Sequence, residues 1–308
     1  MPRTLVIVNP KSAAGKTGRE WGRLERDLRG VLGDFDARLT ERPRHAGELA
    51  REGLKEGYEL IVSAGGDGTN FEVVNGWFEE DKAVNPAACF ATLPLGTGGD
   101  FRKSLGIPRD PIEAAKIIRE APARPIDAAR LGYTTMEGRP ASCHFINIAD
   151  LGIGGEASER VNRTSKRFGG FVSFLWATSV ATLLYKNKRV RYRLDDGPWM
   201  EETVYSLNCA NGRFFGGGME IAPEGKLDDG LFEVVILGDM TKPQVFRETG
   251  AVYKGRRIEH PLVRYARARK VEATSREDVL LDVDGEVPGK LPATFEILPG
   301  AINVRGRF

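Results

Sequence analysis

Gly65-Gly66-Asp67-Gly68-Thr69 lies between an apolar run ending at Ala64 and a helical run from Asn70 to Trp77. Glycines at a strand-to-helix turn let backbone N–H groups approach phosphate oxygens, and a helix N-terminus adds a dipole that favours an anion. Asp67 would repel bare phosphate. A carboxylate there calls for a divalent cation between acid and phosphates, so the motif points to a magnesium nucleotide. A second loop, Leu95-Gly96-Thr97-Gly98-Gly99-Asp100-Phe101, repeats the construction after the strand Cys89 to Leu93. In a parallel sheet both loops leave the carboxyl ends of strands, where open α/β sheets bind ligands, and Asp67 and Asp100 would then share a metal-water network. A third segment, Asn9-Pro10-Lys11-Ser12-Ala13-Ala14-Gly15-Lys16, brings small residues, a hydroxyl and ammonium groups to the same rim. It lacks the spacing of a Walker A loop, which separates the chain from P-loop enzymes.

Far downstream, Asp284-Gly285-Glu286 follows the apolar run Val279 to Val283. In extended chain, residues i and i+2 point the same way, so both carboxylates would face one cleft, with Gly285 leaving room for a ligand. Paired carboxylates of this kind could serve as a proton acceptor and as the holder of a water, and the sequence does not say which would do which. The competing reading is a solvent-facing Asp-Gly hairpin turn.

These loops need strands and helices to hold them. From residue 4 to about 125, short apolar runs (Leu5 to Val8, Leu60 to Ala64, Cys89 to Leu93) alternate with amphipathic helical stretches (Arg19 to Leu32, Ala46 to Glu56, Pro111 to Glu120), the rhythm of a parallel α/β sheet. After Pro125 the pattern becomes strands divided by turns: Val190 to Leu194, the Asp195-Asp196-Gly197 turn, Thr203 to Asn208, Leu231 to Leu237 and Lys270 to Thr274. One helix, near Gly170 to Tyr185, interrupts this antiparallel β-sandwich pattern. The expected fold class is therefore α/β plus β. An open nucleotide-binding α/β domain covers 1–126, with 295–308 a candidate to complete it, and a β-sandwich covers 127–294.

The ordered motifs resemble the diacylglycerol kinase catalytic-domain family, which includes bacterial lipid kinases and is related to sphingosine and ceramide kinases. The resemblance rests on Asn9-Pro10 with Ser12 and Gly15; on the GGDGT motif with Glu72 and Asn75-Gly76; and on Leu93-Pro94-Leu95-Gly96-Thr97 with Asp100-Phe101. It continues through Thr40 with His45-Ala46, Asn147 to Gly155, Asn211 to Phe215, Gly216 to Val235 and Asp284-Gly285-Glu286. It implies an NAD kinase-like nucleotide domain followed by a sandwich that helps form a lipid site. ATP and Mg²⁺ would be bound in the first, with Asn9, Ser12, Thr40, Gly65, Gly66, Asp67, Gly68, Thr69, Glu72, Gly96, Thr97 and Asp100 lining the nucleotide. The proton acceptor would come from Asp284 or Glu286. Lys226-Leu227-Asp228-Asp229-Gly230-Leu231 is similar to the family's structural metal loop, where the Asp229 carboxylate and the Lys226 and Leu231 carbonyls would hold Mg²⁺; a plain turn is the alternative. The implied reaction is ATP-dependent phosphorylation of a membrane-lipid hydroxyl, on diacylglycerol first. Ceramide or a sphingoid base is the alternative within the family, and an NAD kinase-type metabolite kinase lies outside it. Three departures bear on the substrate: Gly99 stands where relatives usually have Asn, Arg102-Lys103 follow where a small residue and Arg are common, and Asp150, just after the strand-like run Phe145 to Ala149, stands where small or uncharged residues are common.

Composition narrows the classes further. In 308 residues, 45 Lys and Arg against 43 Asp and Glu leave a net charge of +2, too little for a nucleic-acid binder that relies on overall charge. Cys89, Cys143 and Cys209 are odd in number and set among apolar residues, a pattern of reduced thiols in a cytoplasmic setting. The N-terminal residues lack a signal-peptide pattern. Phe171 to Leu184 is too short and too rich in hydroxyls to span a bilayer, which needs ~20 apolar residues; it is a candidate guard for a lipid entrance. Basic stretches Lys186 to Arg193 and Arg264 to Lys270 read as solvated strand faces or as contacts to an anionic membrane surface. Peripheral contact at the inner face of the membrane is expected, and a homodimer is compatible with the sequence. His45, His144 and His260 have no metal-ligand spacing.

Overall fold

Strand β1 (Thr4–Val8) is buried at every position, as are β3 (Leu60–Gly65) and β4 (Cys89–Pro94). Such unbroken apolar runs belong to strands covered on both faces. The structure, a computed structural model, describes residues 2–164 and 179–308. Two units divide the chain: Met1–Asp127 with Gly300–Phe308, and Ala128–Pro299.

In the first unit, β2 (Asp36–Leu39) pairs with β1, β1 with β3, and β3 with β4, all parallel. The end of the last strand lies parallel beside β4, with Asn303 opposite Cys89. Helices α1 (Lys16–Leu32), α2 (His45–Lys55), α3 (Asp67–Trp77), the short α4 (Phe101–Ser104) and α5 (Pro111–Glu120) fill the connections. Asp110 caps α5, its side chain accepting the Ile112 and Glu113 amides ahead of Pro111 in the first turn. Where α2 meets α3, a Cβ on Gly76 would lie 2.0 Å from the Gly47 carbonyl, so the pair packs only without side chains.

The second unit is antiparallel. Strands β5 (Ala123–Thr134) and β6 (Pro140–Phe145) pair. Next come β7 (Ile148–Gly152) and α6 (Ile153–Thr164). Strand β8 (Lys188–Leu194) forms a hairpin with β9 (Met200–Val204) and pairs on its other side with β13 (Lys270–Thr274), which pairs with β15 (Lys290–Arg305). A five-stranded sheet runs in the order β12 (Val263–Ala268), β11 (Phe232–Leu237), β10 (Ser206–Ala210), β7, β14 (Leu281–Val283). Phe145 of β6 stacks on Phe232 of β11, ring centroids 5.9 Å apart, joining the layers of a sandwich. Helix α7 (Lys242–Val252) follows β11.

Two strand readings need correction. Thr203 to Asn208 is not one strand: it breaks at Tyr205, whose amide donates to Leu237 and Gly238, so the chain leaves one sheet at Val204 and joins the other at Ser206. Phe145 to Ala149 likewise breaks between β6 and β7. The helix expected near Gly170 to Tyr185, with the entrance guard in Phe171 to Leu184, lies largely outside the described residues; 179–184 are helical.

Candidate functional site

Three loops leave the carboxyl ends of β1, β3 and β4, and hydrogen bonds tie them together. The Asn9 amide donates to the Ala64 carbonyl at 3.0 Å and the Leu95 amide to Gly65 at 2.9 Å. Asn9 Nδ2 donates to Thr69 Oγ1 at 3.1 Å. The Ser12 and Thr17 hydroxyls are 2.6 Å apart and both reach the Leu95 carbonyl. Ala13, Ala14 and Gly15 all hold positive φ. That conformation costs roughly 1–2 kcal/mol for a residue with a Cβ, and such strain collects at functional loops.

Asp67 opens α3 behind its N-cap Gly66. A Cβ on Gly65 would meet Thr69 Oγ1 at 2.3 Å, and one on Gly96 would meet Gly66 Cα at 2.5 Å, so glycine is what lets the β3 and β4 loops touch. The Asp67 carboxylate crosses between them: Oδ2 accepts the amides of Gly99 (2.7 Å) and Asp100 (3.2 Å), and Oδ1 that of Phe101 (3.4 Å). Although the residue keeps some exposed surface, its carboxyl is enclosed. Burial first, and then the Asp100 charge, raise its pKa, while the three amides pull it down. Asp100 is buried and receives Lys103 Nζ at 3.1 Å. Gly99 sits at φ +88°, a conformation that Gly adopts freely and Asn tolerates, so replacing Asn there keeps the backbone shape.

Other sequence-derived residues fall differently. Thr97 is exposed, and its carbonyl accepts Arg109 Nη2 at 2.9 Å. Thr40 continues β2 through its amide to the Val8 carbonyl. The Glu72 carboxylate turns to α2, accepting the Arg44 and Ala46 amides at 2.9 and 3.1 Å, so its visible role is to cap that helix. Gly68 lies in the first turn of α3. His45 and His260 accept local backbone amides.

Asp284 and Glu286 do not share a direction along extended chain. Asp284 and Gly285 have φ of +52° and +90° and form the two-residue turn between Val283 and Glu286, so the hairpin reading replaces the extended one. Asp284 is buried, and its oxygens accept the amides of Ile146, Asn147 and Ile148 at 3.0–3.2 Å. Glu286 is exposed. Asp150, the other unusual acid, is also fully enclosed and lies opposite Asp282.

Among the described residues no cluster of three or more His, Cys, Asp or Glu forms a metal cage. Mg²⁺ needs none when it binds through one or two carboxylates and substrate phosphates. Asp67 and Asp100 are hard oxygen donors of that kind, and a cation would relieve the repulsion that raises the Asp67 pKa. The 226–231 loop is arranged otherwise. Asp229 Oδ1 accepts the Leu231 amide at 3.1 Å and Oδ2 pairs with Arg267, so an ion there would compete with a guanidinium. The basic stretches are largely spent on cross-strand pairs: Arg189 with Glu201, Arg193 with Glu272, and Arg264 with Glu202. Arg191 lies over Trp199, 4.8 Å from the ring centroid.

A parallel sheet with acid-bearing glycine loops, carried in a chain with an antiparallel sandwich, defines a kinase of the NAD kinase and diacylglycerol kinase fold class. Residues 3–131 match the Diacylglycerol kinase catalytic domain, and residues 147–306 match the YegS C-terminal NAD kinase beta sandwich-like domain. The chain belongs to this family and is a lipid kinase. It is 29% identical over 304 residues to a diacylglycerol kinase of Staphylococcus carnosus (strain TM300), covering 98% of this chain and 94% of that one. The crystal structure of a diacylglycerol kinase from Bacillus anthracis str. Sterne superposes with a TM-score of 0.72 at 21% identity, covering 99% of this chain and 97% of that one. Yeast NADH kinase complexed with NADH shares the fold more distantly, with a TM-score of 0.51 at 11% identity over all of this chain and 84% of that one.

Proposed function

We propose that the chain transfers the γ-phosphoryl group of ATP, with Mg²⁺, to a hydroxyl of diacylglycerol. The observation that carries this reading is Asp67: one enclosed carboxylate held by the amides of the second glycine loop, beside Asp100, at the carboxyl ends of adjacent parallel strands. Asn9, Ser12, Gly65, Gly66, Gly68, Thr69, Gly96 and Thr97 supply the loop surface around the phosphates, with Thr40 at the end of β2. Asp67 and Asp100 would hold Mg²⁺, which when bound would supply positive charge to the phosphates. The lipid oxygen forms a bond to the γ-phosphorus, the bond to the ADP oxygen breaks, and the hydroxyl proton passes to a carboxylate.

Glu286 is the better acceptor of that proton. Glu286 is exposed on the turn, whereas the buried Asp284 accepts three amides and fixes the turn that carries Glu286. Diacylglycerol leads over ceramide or a sphingoid base: Gly99 preserves a conformation open to Asn, and Asp150 is enclosed against Asp282. An NAD kinase-type activity has the distant fold likeness alone behind it. Among the described residues no helix is long and apolar enough to cross a membrane. Because diacylglycerol resides in the bilayer, we place the substrate encounter at the membrane surface, by peripheral contact. The test is phosphate transfer from labelled ATP to micellar diacylglycerol, ceramide, sphingosine and NAD in parallel. Diacylglycerol labelling supports the reading, and labelling of NAD alone overturns it.

A further inference from the structure

The turn that carries Glu286 is held by a second pair of acids that sequence motifs did not connect with catalysis. Strands β7 and β14 place Asp150 opposite Asp282, and β10 places Asn208 opposite Asp150 on the other side. Directly opposed residues share a sheet face, so Asp282, Asp150 and Asn208 form a row, and all three are buried. Asp282 is the junction. Its Oδ1 accepts the Gly285 amide at 3.1 Å, and its Oδ2 accepts the Ser158 hydroxyl of α6. Asp150 accepts the Gly154 amide and packs against the start of α6 so closely that a Cβ on Gly154 would lie 2.1 Å from its Oδ1. That oxygen has no hydrogen-bond partner among the described residues.

Two adjacent enclosed carboxyls do not both ionise readily. Burial, and then the Asp282 charge, drive the Asp150 pKa well above the carboxylate range. Burial pushes Asp282 up to about 6, against the Ser158 and Gly285 hydrogen bonds that pull it down. The pair therefore titrates as a unit that favours sharing one proton, and the Gly285 amide and Ser158 hydroxyl that donate to Asp282 favour the charge there. Among the described residues, Tyr185, Tyr205 and Cys209 of β10 also feel the Asp150 charge, and Glu156 of α6 lies near Tyr185. Burial raises the pKa of both tyrosines and the thiol, Tyr205 to about 12, so these three stay uncharged at neutral pH.

We propose that Asp282 is a positioning residue for phosphoryl transfer: its carboxylate, backed by Asp150 and Ser158, fixes the Gly285 amide and with it the turn that presents Glu286. The inference rests on Glu286 as proton acceptor. Below about pH 6 Asp282 takes up a proton, the charge-assisted hold on Gly285 weakens, and kcat falls. A displacement of ~1 Å at a reacting group costs on the order of 10²-fold in rate.

The experiment measures kcat at saturating ATP and diacylglycerol from about pH 5 to 8, with melting curves, for the full chain and for Asp282→Ala, Asp282→Asn and Glu286→Gln. Asp282→Ala should lower kcat ~10²-fold and change the KM for ATP by no more than about twofold. Asp282→Asn keeps an oxygen for the Gly285 amide, so it should recover most of that loss and lack the acid limb near pH 6. Wild-type kcat in Asp282→Ala, or an unaltered acid limb in Asp282→Asn, overturns the inference; should the Ala variant fail to fold, the Asn profile decides. Near-normal turnover in Glu286→Gln overturns the acceptor assignment and this inference with it. An inactive Glu286→Gln beside a fully active Asp282→Ala overturns this inference alone.

Discussion

Gly96→Ala tests how the site is built without touching a charged group. The new Cβ would lie 2.5 Å from Gly66 Cα and 2.9 Å from Gly66 N, both backbone atoms. Carbon contacts settle near 3.5–4.0 Å, so the β3 and β4 loops must separate by roughly 1 Å. Overpacking of this kind costs ~1–3 kcal/mol, a drop in Tm of about 2–4 °C for each kcal/mol in a protein of comparable size. The larger effect should be catalytic. The loops share the Asp67 carboxylate through the Gly99 and Asp100 amides, and ~1 Å of misplacement lowers kcat/KM on the order of 10²-fold. Steady-state kinetics with varied ATP, paired with thermal melting, provide the assay. Gly30→Ala is the control, since nothing lies within 4 Å of its new Cβ in the interior of α1; it should keep wild-type kinetics and gain up to about 1 kcal/mol. Wild-type kinetics and melting in Gly96→Ala would refute the close-approach argument.

Asp67→Asn should fold and lose phosphoryl transfer by ~10²–10³-fold. Because the folded carboxyl holds its proton to higher pH than the unfolded one, its ionisation costs nothing below about pH 4 and destabilises as pH rises past the folded value. Without Mg²⁺ the variant should therefore melt at or above wild type at neutral pH, with the gap closing toward pH 4; a lower neutral melting point contradicts the reasoning. Glu286→Gln should cut kcat ~10²-fold at unchanged melting, whereas Asp284→Asn should also lose about 1–3 kcal/mol because three amides lose a charged acceptor; the same kinetic and melting assays check both. Asp229→Ala should lower stability by about 1 kcal/mol through loss of the half-exposed Arg267 pair, leaving ATP affinity unchanged. Unchanged melting would count against it, and stabilisation by Mg²⁺ in wild type but not in the variant would place an ion in that loop.

The parallel half was legible because its signals are local. Buried runs such as Leu60 to Ala64 read as strands, and the amphipathic stretch Pro111 to Glu120 read as the helix α5. The two glycine loops were legible as strand-to-helix turns, since each follows an apolar run and precedes a helix. What escaped depended on partners distant in sequence. Nothing near Tyr205 says that the chain changes sheets there; the register of β8 with β9 and of β10 with β11 decides it. Glu72 looked like a ligand contact because the donors its carboxylate accepts from, the Arg44 and Ala46 amides, lie at the start of another helix. The Asp284-Gly285 turn carried a usable signal, since Asp-Gly favours the positive φ pair of a two-residue hairpin. The Asp150–Asp282 pairing had none, because it exists only through β7–β14 register.

Lipid phosphorylation through Asp67 is tested most directly by transfer of labelled γ-phosphate from ATP to diacylglycerol micelles by wild type and Asp67→Asn with Mg²⁺ present. The predicted result is a labelled lipid phosphate with wild type and at most ~1% of that rate with the variant. Equal labelling by both proteins would rule out a role for Asp67, and wild-type labelling of NAD with none of any lipid would rule out lipid phosphorylation.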